Sequence, residues 1–391
     1  MTPKPGYGCR EDRPPPVGPL AADLTRATTF AKESAESLRA VGAGEIDGEF
    51  YPRCGHPVGR RFESGVAELE QTDGAVAFAS GVAALYAIFA AVPDPGDTIA
   101  MSRDLYGGTV DIARHDLPRL QLTARKFDPF RPESFAEAFR GVSLVHVETP
   151  TNPLARVVDI DAVVRAAREA GALVSVDATF QPPPLQQPAT LGVDLVMHSA
   201  TKFLGGHSDA LGGVVSGPHA LMEKLEAFRH RTGAVLSPDT AWLLVRSLGT
   251  LELRAREQAA TAQRLALALD ALRATGSANR GVRTVHYPGL PEHEDHALAR
   301  RQMATFGSML AFEVEGGLPA AAAVIDGFQV IARAVSLGGI ETLASLPLHT
   351  SHAPLTESER NAAGIDDGLI RLSVGLEPFD RLEADLLQAL S

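Results

Sequence analysis

"GVDLVMHSATKFLGGHSD", Gly192 to Asp209, joins an apolar run to a loop in which Lys202 follows Ser199 and Thr201 and precedes the pair Gly205 and Gly206. An apolar run this short, ended by small and polar residues, reads as a buried strand emptying into a loop. Four more runs share the pattern: "AVAFAS" (75–80), "DTIAMS" (97–102), "SLVHVET" (143–149) and "ALVSVDA" (172–178). Helix-length stretches such as "GVAALYAIFAAV" (81–92) and "DIDAVVRAAREAG" (159–171) separate them. Strands apolar on both faces and separated by crossover helices form a mostly parallel sheet in an α/β fold. Functional groups in such sheets gather beyond the carboxyl ends of the strands. Ser80, Glu148, Asp177 and Ser199 stand at those ends.

Working outward, the 391 residues predict a large domain and a smaller one. The proline-rich opening through Pro19 and the glycine-rich stretch from Val41 to Gly59 read as irregular segments of an arm over 1–60, of a length that usually packs on something, often another subunit. A helix is expected from Arg61, in "RFESGVAELEQTDG", ending at Gly74. The large domain spans 61–250. A long helical stretch from Ser237 to Gly276 leads out of it, and "GSMLAFEVEGG" and "GLIRLSVGLE" predict strands of a small α+β domain over 251–391.

The formal charge of −12 argues against nucleic acid, whose binding draws on clustered cations. No apolar stretch reaches the roughly 20 residues of a spanning helix, and the first residues lack the apolar centre of a signal peptide, so a cytoplasmic protein is expected. Cys9 and Cys54 form no CxxC pair and read as reduced thiols. His293 and His296 are three apart without a third ligand nearby, and no metal is expected.

Most lysines in loops are solvated cations. At the edge of a buried sheet, however, a lysine amine can form a Schiff base once burial and nearby charge lower its pKa from about 10.4. Asp177 reads either as a turn residue or as the carboxylate that keeps a pyridine nitrogen protonated. "FASGVAAL" (78–85) opens a helix on a Ser-Gly turn, which suits a phosphate. Tyr106, in "DLYGGT", fills core or stacks on a planar cofactor.

Together these elements resemble the pyridoxal-phosphate enzymes of cysteine and methionine metabolism, the cystathionine γ-synthase, cystathionine γ-lyase and methionine γ-lyase family. "TRATTF", "YPRCGHPVGR", "FASGVAAL", "DLYGGT", "ETPTNP", "VDATF", "HSATKFLGGHSD", "SLGGIETLASLP" and "GLIRLSVG" follow in family order along nearly the whole chain. The resemblance implies an aspartate-aminotransferase type of fold (fold type I) and a homotetramer of close dimers with shared active sites. It implies Lys202 as the Schiff-base lysine and proton shuttle, and Asp177 as partner of the pyridine nitrogen. The backbone of Gly81 and Val82 and the hydroxyls of Ser199 and Thr201 would hold the phosphate, with Tyr51 and Arg53 reaching it from the neighbouring subunit. Tyr106 would stack on the ring and assist proton transfer. Asn152 would contact the ring hydroxyl and, with Ser336 and Arg371, the carboxylate of an amino-acid substrate.

The implied chemistry removes the α-proton and then a β-proton, expelling a group from the γ-carbon. Capture by a nucleophile gives replacement; protonation and hydrolysis give a 2-oxo acid and ammonia. The chain departs from the family in having His56-Pro57-Val58 for Asn-Pro-Thr and Ala178 for Asn, changes expected to lie close to the site. Where cystathionine-handling members carry Glu, Glu and often Arg, this chain carries Val335, Phe50 and Asp111; Gly108 replaces the Cys usual in methionine γ-lyase. The expectation is γ-elimination or γ-replacement on a compact L-amino acid. A β-lyase of the same family and a catalytically silent scaffold are the alternatives.

Overall fold

The computed structural model describes residues 21–276 and 280–391, apart from 352, 354, 355, 357, 359, 361 and 362. The opening through Pro19, including Cys9, lies outside the described residues. Ser34 caps a short helix, α1 (Ala35–Gly42), which precedes a single 3-10 turn at Pro52–Cys54.

The sheet anticipated from the apolar runs is built of β1 (Gly74–Phe78), β2 (Thr98–Ser102), β3 (Thr123–Phe127), β4 (Leu144–Glu148), β5 (Leu173–Asp177), β6 (Leu195–His198) and β7 (Gly213–Gly217). Their spatial order is β1-β7-β6-β5-β4-β2-β3. β3, β2, β4, β5 and β6 run parallel, whereas β7 lies antiparallel to both β6 and β1. Side chains alternate between two apolar layers: Val76, Ile99, Leu144 and Met197 on one face, Val145, Val176 and Val196 on the other.

Covering helices in chain order are α2 (Pro57–Glu70), α3 (Gly81–Ala91), α4 (Gly107–His115), α5 (Phe135–Ala138), α6 (Ile160–Ala170), α7 (His219–Thr232) and α8 (Pro238–Leu248). Between α2 and α7 sits a buried ion pair. Glu63 Oε1 meets Arg229 Nη1 and also accepts the N–H of Ala77 at 2.9 Å, while Arg229 Nη1 donates to the carbonyl of Ala77 at 3.0 Å. The pair thereby fastens both helices to β1.

Two helix boundaries differ from the sequence expectation. α2 begins at Pro57, four residues before Arg61, because His56 is its N-cap: Nδ1 accepts the N–H of Gly59 at 3.1 Å. It ends at Glu70, since Gln71 turns left-handed with φ +60°. The stretch from Ser237 to Gly276 is two helices, α8 and α9 (Leu251–Thr275), broken at Gly249 and Thr250.

Beyond α9 a second sheet follows the order β10-β11-β12-β9-β8, from β8 (Val282–His286), β9 (Met309–Val314), β10 (Ala332–Arg333), β11 (Leu343–Ser345) and β12 (Leu369–Ser373). Its core gathers Leu265 and Leu269 of α9, Phe312 of β9, Leu372 of β12, and residues of α11 (Gly317–Gly327) and α12 (Phe379–Leu390). The short α10 (His296–Gln302) lies between β8 and β9. No described helix is long and apolar enough to cross a membrane.

Candidate active site

A cavity of about 670 Å³ opens beyond the carboxyl ends of β4, β5 and β6 and reaches the second sheet. Its walls include Gly81, Val82, Tyr106, Asn152, Asp177, Ser199, Thr201, Lys202, Ser336 and Arg371. Ten of the twelve residues singled out from sequence therefore meet at one place. Tyr51 and Arg53 do not line it; they sit together outside, with the Arg53 guanidinium 5.4 Å from the Tyr51 ring and donating to the carbonyl of His230.

Lys202 follows β6 in a tight turn, its N–H donating to the Ser199 carbonyl and its own carbonyl accepting from Gly206. The ammonium donates to Ser336 Oγ at 2.7 Å. Burial, helped by the charge of Arg371, pushes Lys202 down to about 8, which makes a nucleophilic amine available near neutral pH. Ser336 presents its hydroxyl from a left-handed backbone, φ +88°, a conformation rare outside glycine. The carbonyl of Ser336 accepts from Arg371 Nη2 at 3.0 Å, and Nη1 of Arg371 donates to Asn152 Oδ1 at 2.9 Å. Among the described residues Arg371 Nε has no partner although it is buried, so this guanidinium retains a donor for an added acceptor.

The start of α3 is suited to phosphate. Ser80 caps α3 by accepting the N–H of Ala83 at 3.1 Å, and the N–H groups of Gly81 and Val82 have no intrahelical acceptor. A Cβ on Gly81 would lie 2.8 Å from Ser199 Cβ and Oγ, so only glycine allows this approach. The Thr201 hydroxyl is engaged with Gly212, donating to its carbonyl at 3.2 Å and accepting its N–H at 3.1 Å.

Asp177 lies on the floor of the cavity. Burial raises it, opposed by hydrogen bonds from Thr179 and the charge of His198. The Thr179 N–H reaches Asp177 Oδ1 at 3.0 Å, while its hydroxyl accepts the N–H of Ser199 at 2.8 Å. Thr179, which the sequence reading passed over, therefore ties the turn after β5 to the lysine loop. Its signal was modest: one hydroxyl two residues beyond the aspartate.

Tyr106 precedes α4 and is partly exposed; its N–H donates to Glu148 Oε2 at 2.7 Å. A Cβ at Gly108 would fall 2.6 Å from the Tyr106 ring, so the glycine sets where that ring lies. The two family departures expected close to the site are elsewhere. Ala178 is wholly buried in an apolar layer, pointing away from the cavity as the residue after Asp177 in an extended chain must. His56 caps α2, and its Nε2 meets the carbonyl of Leu236 at 2.9 Å. The three specificity positions also separate: Val335 lines the cavity, Asp111 a neighbouring one of about 220 Å³, and Phe50 neither. His293 and His296 diverge, His293 accepting the N–H of Asp295 and His296 meeting the Pro288 carbonyl. Among the described residues no group of His, Cys, Asp and Glu has metal-binding geometry.

The family model described as Cys/Met metabolism PLP-dependent enzyme matches residues 9–391. The chain belongs to this family. L-methionine gamma-lyase of Pseudomonas putida is 39% identical over 376 residues, covering 95% of this chain and 93% of the relative. O-succinylhomoserine sulfhydrylase of Pseudomonas aeruginosa is 37% identical over 378 residues, covering 96% and 92%. The solved cystathionine gamma synthase of Xanthomonas oryzae pv. oryzae superposes with a TM-score of 0.87 at 37% identity, covering 95% of this chain and 92% of that one. The protein is thus an enzyme dependent on pyridoxal phosphate, with the aspartate-aminotransferase type of fold. The cavity fits that cofactor: a glycine cradle at a helix N-terminus for the phosphate, a buried carboxyl for the ring and an amine of lowered pKa for the aldehyde.

Proposed function

We propose that this family member catalyses γ-elimination or γ-replacement on a compact L-amino acid, such as methionine or a homoserine ester. The observation that carries the reading is the gathering of Lys202, Arg371 and Asp177 in a single cavity whose lining at position 335 is apolar. When bound, pyridoxal phosphate supplies an electron sink for charge developing on the substrate's α-carbon. Lys202, its amine pKa lowered by burial, would hold the cofactor through its aldehyde and would carry protons to and from the substrate's α-carbon. Asp177 would keep the proton on the pyridine nitrogen, and Tyr106 would pack beside the cofactor and assist proton transfer. Gly81, Val82, Ser199 and Thr201 would hold the phosphate.

Arg371, held by Asn152 and Ser336, would offer its remaining donor to the substrate carboxylate. Val335 offers no partner to a charged distal group, and a zwitterionic extension there would lose its water without compensation. This favours a small γ-substituent; the γ-lyase and γ-synthase names of the relatives agree. The proposal extends to the organisation of the protein: a cytoplasmic homotetramer of close dimers, with the arm of 1–60 carrying Tyr51 and Arg53 into a neighbour's site, a cofactor-binding unit over 61–250 and a small unit over 251–391.

Borohydride reduction of the holoenzyme followed by peptide mapping should mark Lys202, and γ-substituted amino acids should yield 2-oxobutyrate and ammonia or a replacement product. Pyruvate from cysteine-type substrates would assign a β-lyase instead. A protein that takes up no cofactor would point to the silent scaffold.

A further inference from the structure

Two buried carboxyl groups share the floor of the cavity, and the roles assigned above use one. Glu148 ends β4 and Asp177 ends β5, and the two are register partners on adjacent parallel strands. Register partners stand about 5 Å apart at Cα and project to the same side of the sheet. Each is only 5% exposed, and both line the cavity.

Their surroundings differ. Asp177 accepts from Thr179 and lies within the field of His198 on β6, whose Nε2 is 2.5 Å from buried Glu70. Glu148 accepts the backbone N–H of Tyr106 and that of Asn152. The charges acting on it are those of the acids Asp177 and Asp104. Burial first, then the charge of Asp177, pushes Glu148 well above the usual carboxylate range. Two carboxylates this close and this buried do not both ionise.

We propose that Glu148 and Asp177 share one proton, held on Glu148, and that neutral Glu148 is a positioning residue that fixes Tyr106 and Asn152 around the cofactor while Asp177 stays ionised. The inference rests on the reading of Asp177 as the partner of the ring nitrogen. It gives Glu148 a role that depends on its shape and neutrality rather than on charge. Glutamine reproduces both: its carbonyl oxygen accepts from Tyr106 and Asn152, and it carries no charge.

The test compares holoenzymes of the wild type, Glu148→Gln, Glu148→Ala and Asp177→Asn. Glu148→Gln is expected to keep cofactor affinity and turnover within about threefold, whereas Glu148→Ala loses about tenfold or more in cofactor affinity as Tyr106 and Asn152 lose their acceptor. Infrared spectra of the wild type at neutral pH should show the carbonyl stretch of a protonated carboxylic acid that Glu148→Gln removes. That signature belongs to the charge state and would not follow from a packing role. A wild type without this band, or Glu148→Gln as damaging as Glu148→Ala, overturns the proposal. Failure of the underlying reading shows separately: Asp177→Asn would then leave the cofactor's absorbance and affinity unchanged, and the proposal would fall with it.

Discussion

Loading of the apoprotein with pyridoxal phosphate should follow the titration of Lys202. With the amine lowered to about 8 by burial and the Arg371 charge, about half of it is neutral at pH 8 and nearly all at pH 10, so the loading rate gains only about twofold across that interval. An unperturbed lysine of pKa about 10.5 would gain about 75-fold over the same range. Stopped-flow absorbance measures the rate, and a small amine of known pKa run in parallel corrects for the cofactor's own titration. Arg371→Gln removes a neighbouring cation and should move the midpoint upward, while Arg371→Lys should leave it nearer the wild-type value. The displacement should stop short of the full shift because burial is its larger cause. A rate that still climbs tenfold per pH unit up to pH 10 would show that the cavity does not activate Lys202, and the argument from burial would fail.

Three further outcomes follow from the packing. Gly81→Ala places a methyl against Ser199 and should weaken cofactor binding about tenfold, about 1.4 kcal/mol, in an equilibrium titration, and the same overpacking should cost the apoprotein about 1–3 kcal/mol in urea unfolding. His56→Ala removes the cap on Gly59 and the contact with Leu236, and should cost about 1–2 kcal/mol in urea unfolding; His56→Asn restores the cap and recovers about half. Arg229→Ala leaves Glu63 buried without its partner and should cost about 3–5 kcal/mol, with part of the loss recovered when Glu63→Gln is added.

Strands β1, β2, β4, β5 and β6 were legible because each is a nearly continuous apolar run, the mark of a strand covered on both faces. β3, "TARKF", was not, since it lies at the sheet edge and keeps polar side chains in water. β7, "GVVSG", is short and bounded by glycine, and nothing in its pattern announces that it runs antiparallel. The start of α2 was missed because histidine is an uncommon N-cap. The break between α8 and α9 was missed because Gly249 and Thr250 interrupt an otherwise continuous helical pattern for only two residues.

The chain's order of residues determined the α/β class, the lysine loop after β6, the aspartate after β5 and the helix opened by Ser80, since each depends on neighbours a few positions away. The family motifs added Asn152, Ser336 and Arg371 as candidates, and all three line the cavity. Only the tertiary structure decided how these groups engage one another. The Lys202 bond to Ser336 spans 134 positions and the Arg371 bond to Asn152 spans 219, and the pairing of Glu148 with Asp177 depends on the register of β4 against β5. Local propensity acts over one or two turns of backbone, whereas these contacts exist only once burial of the apolar layers has set which strands are neighbours and in what register.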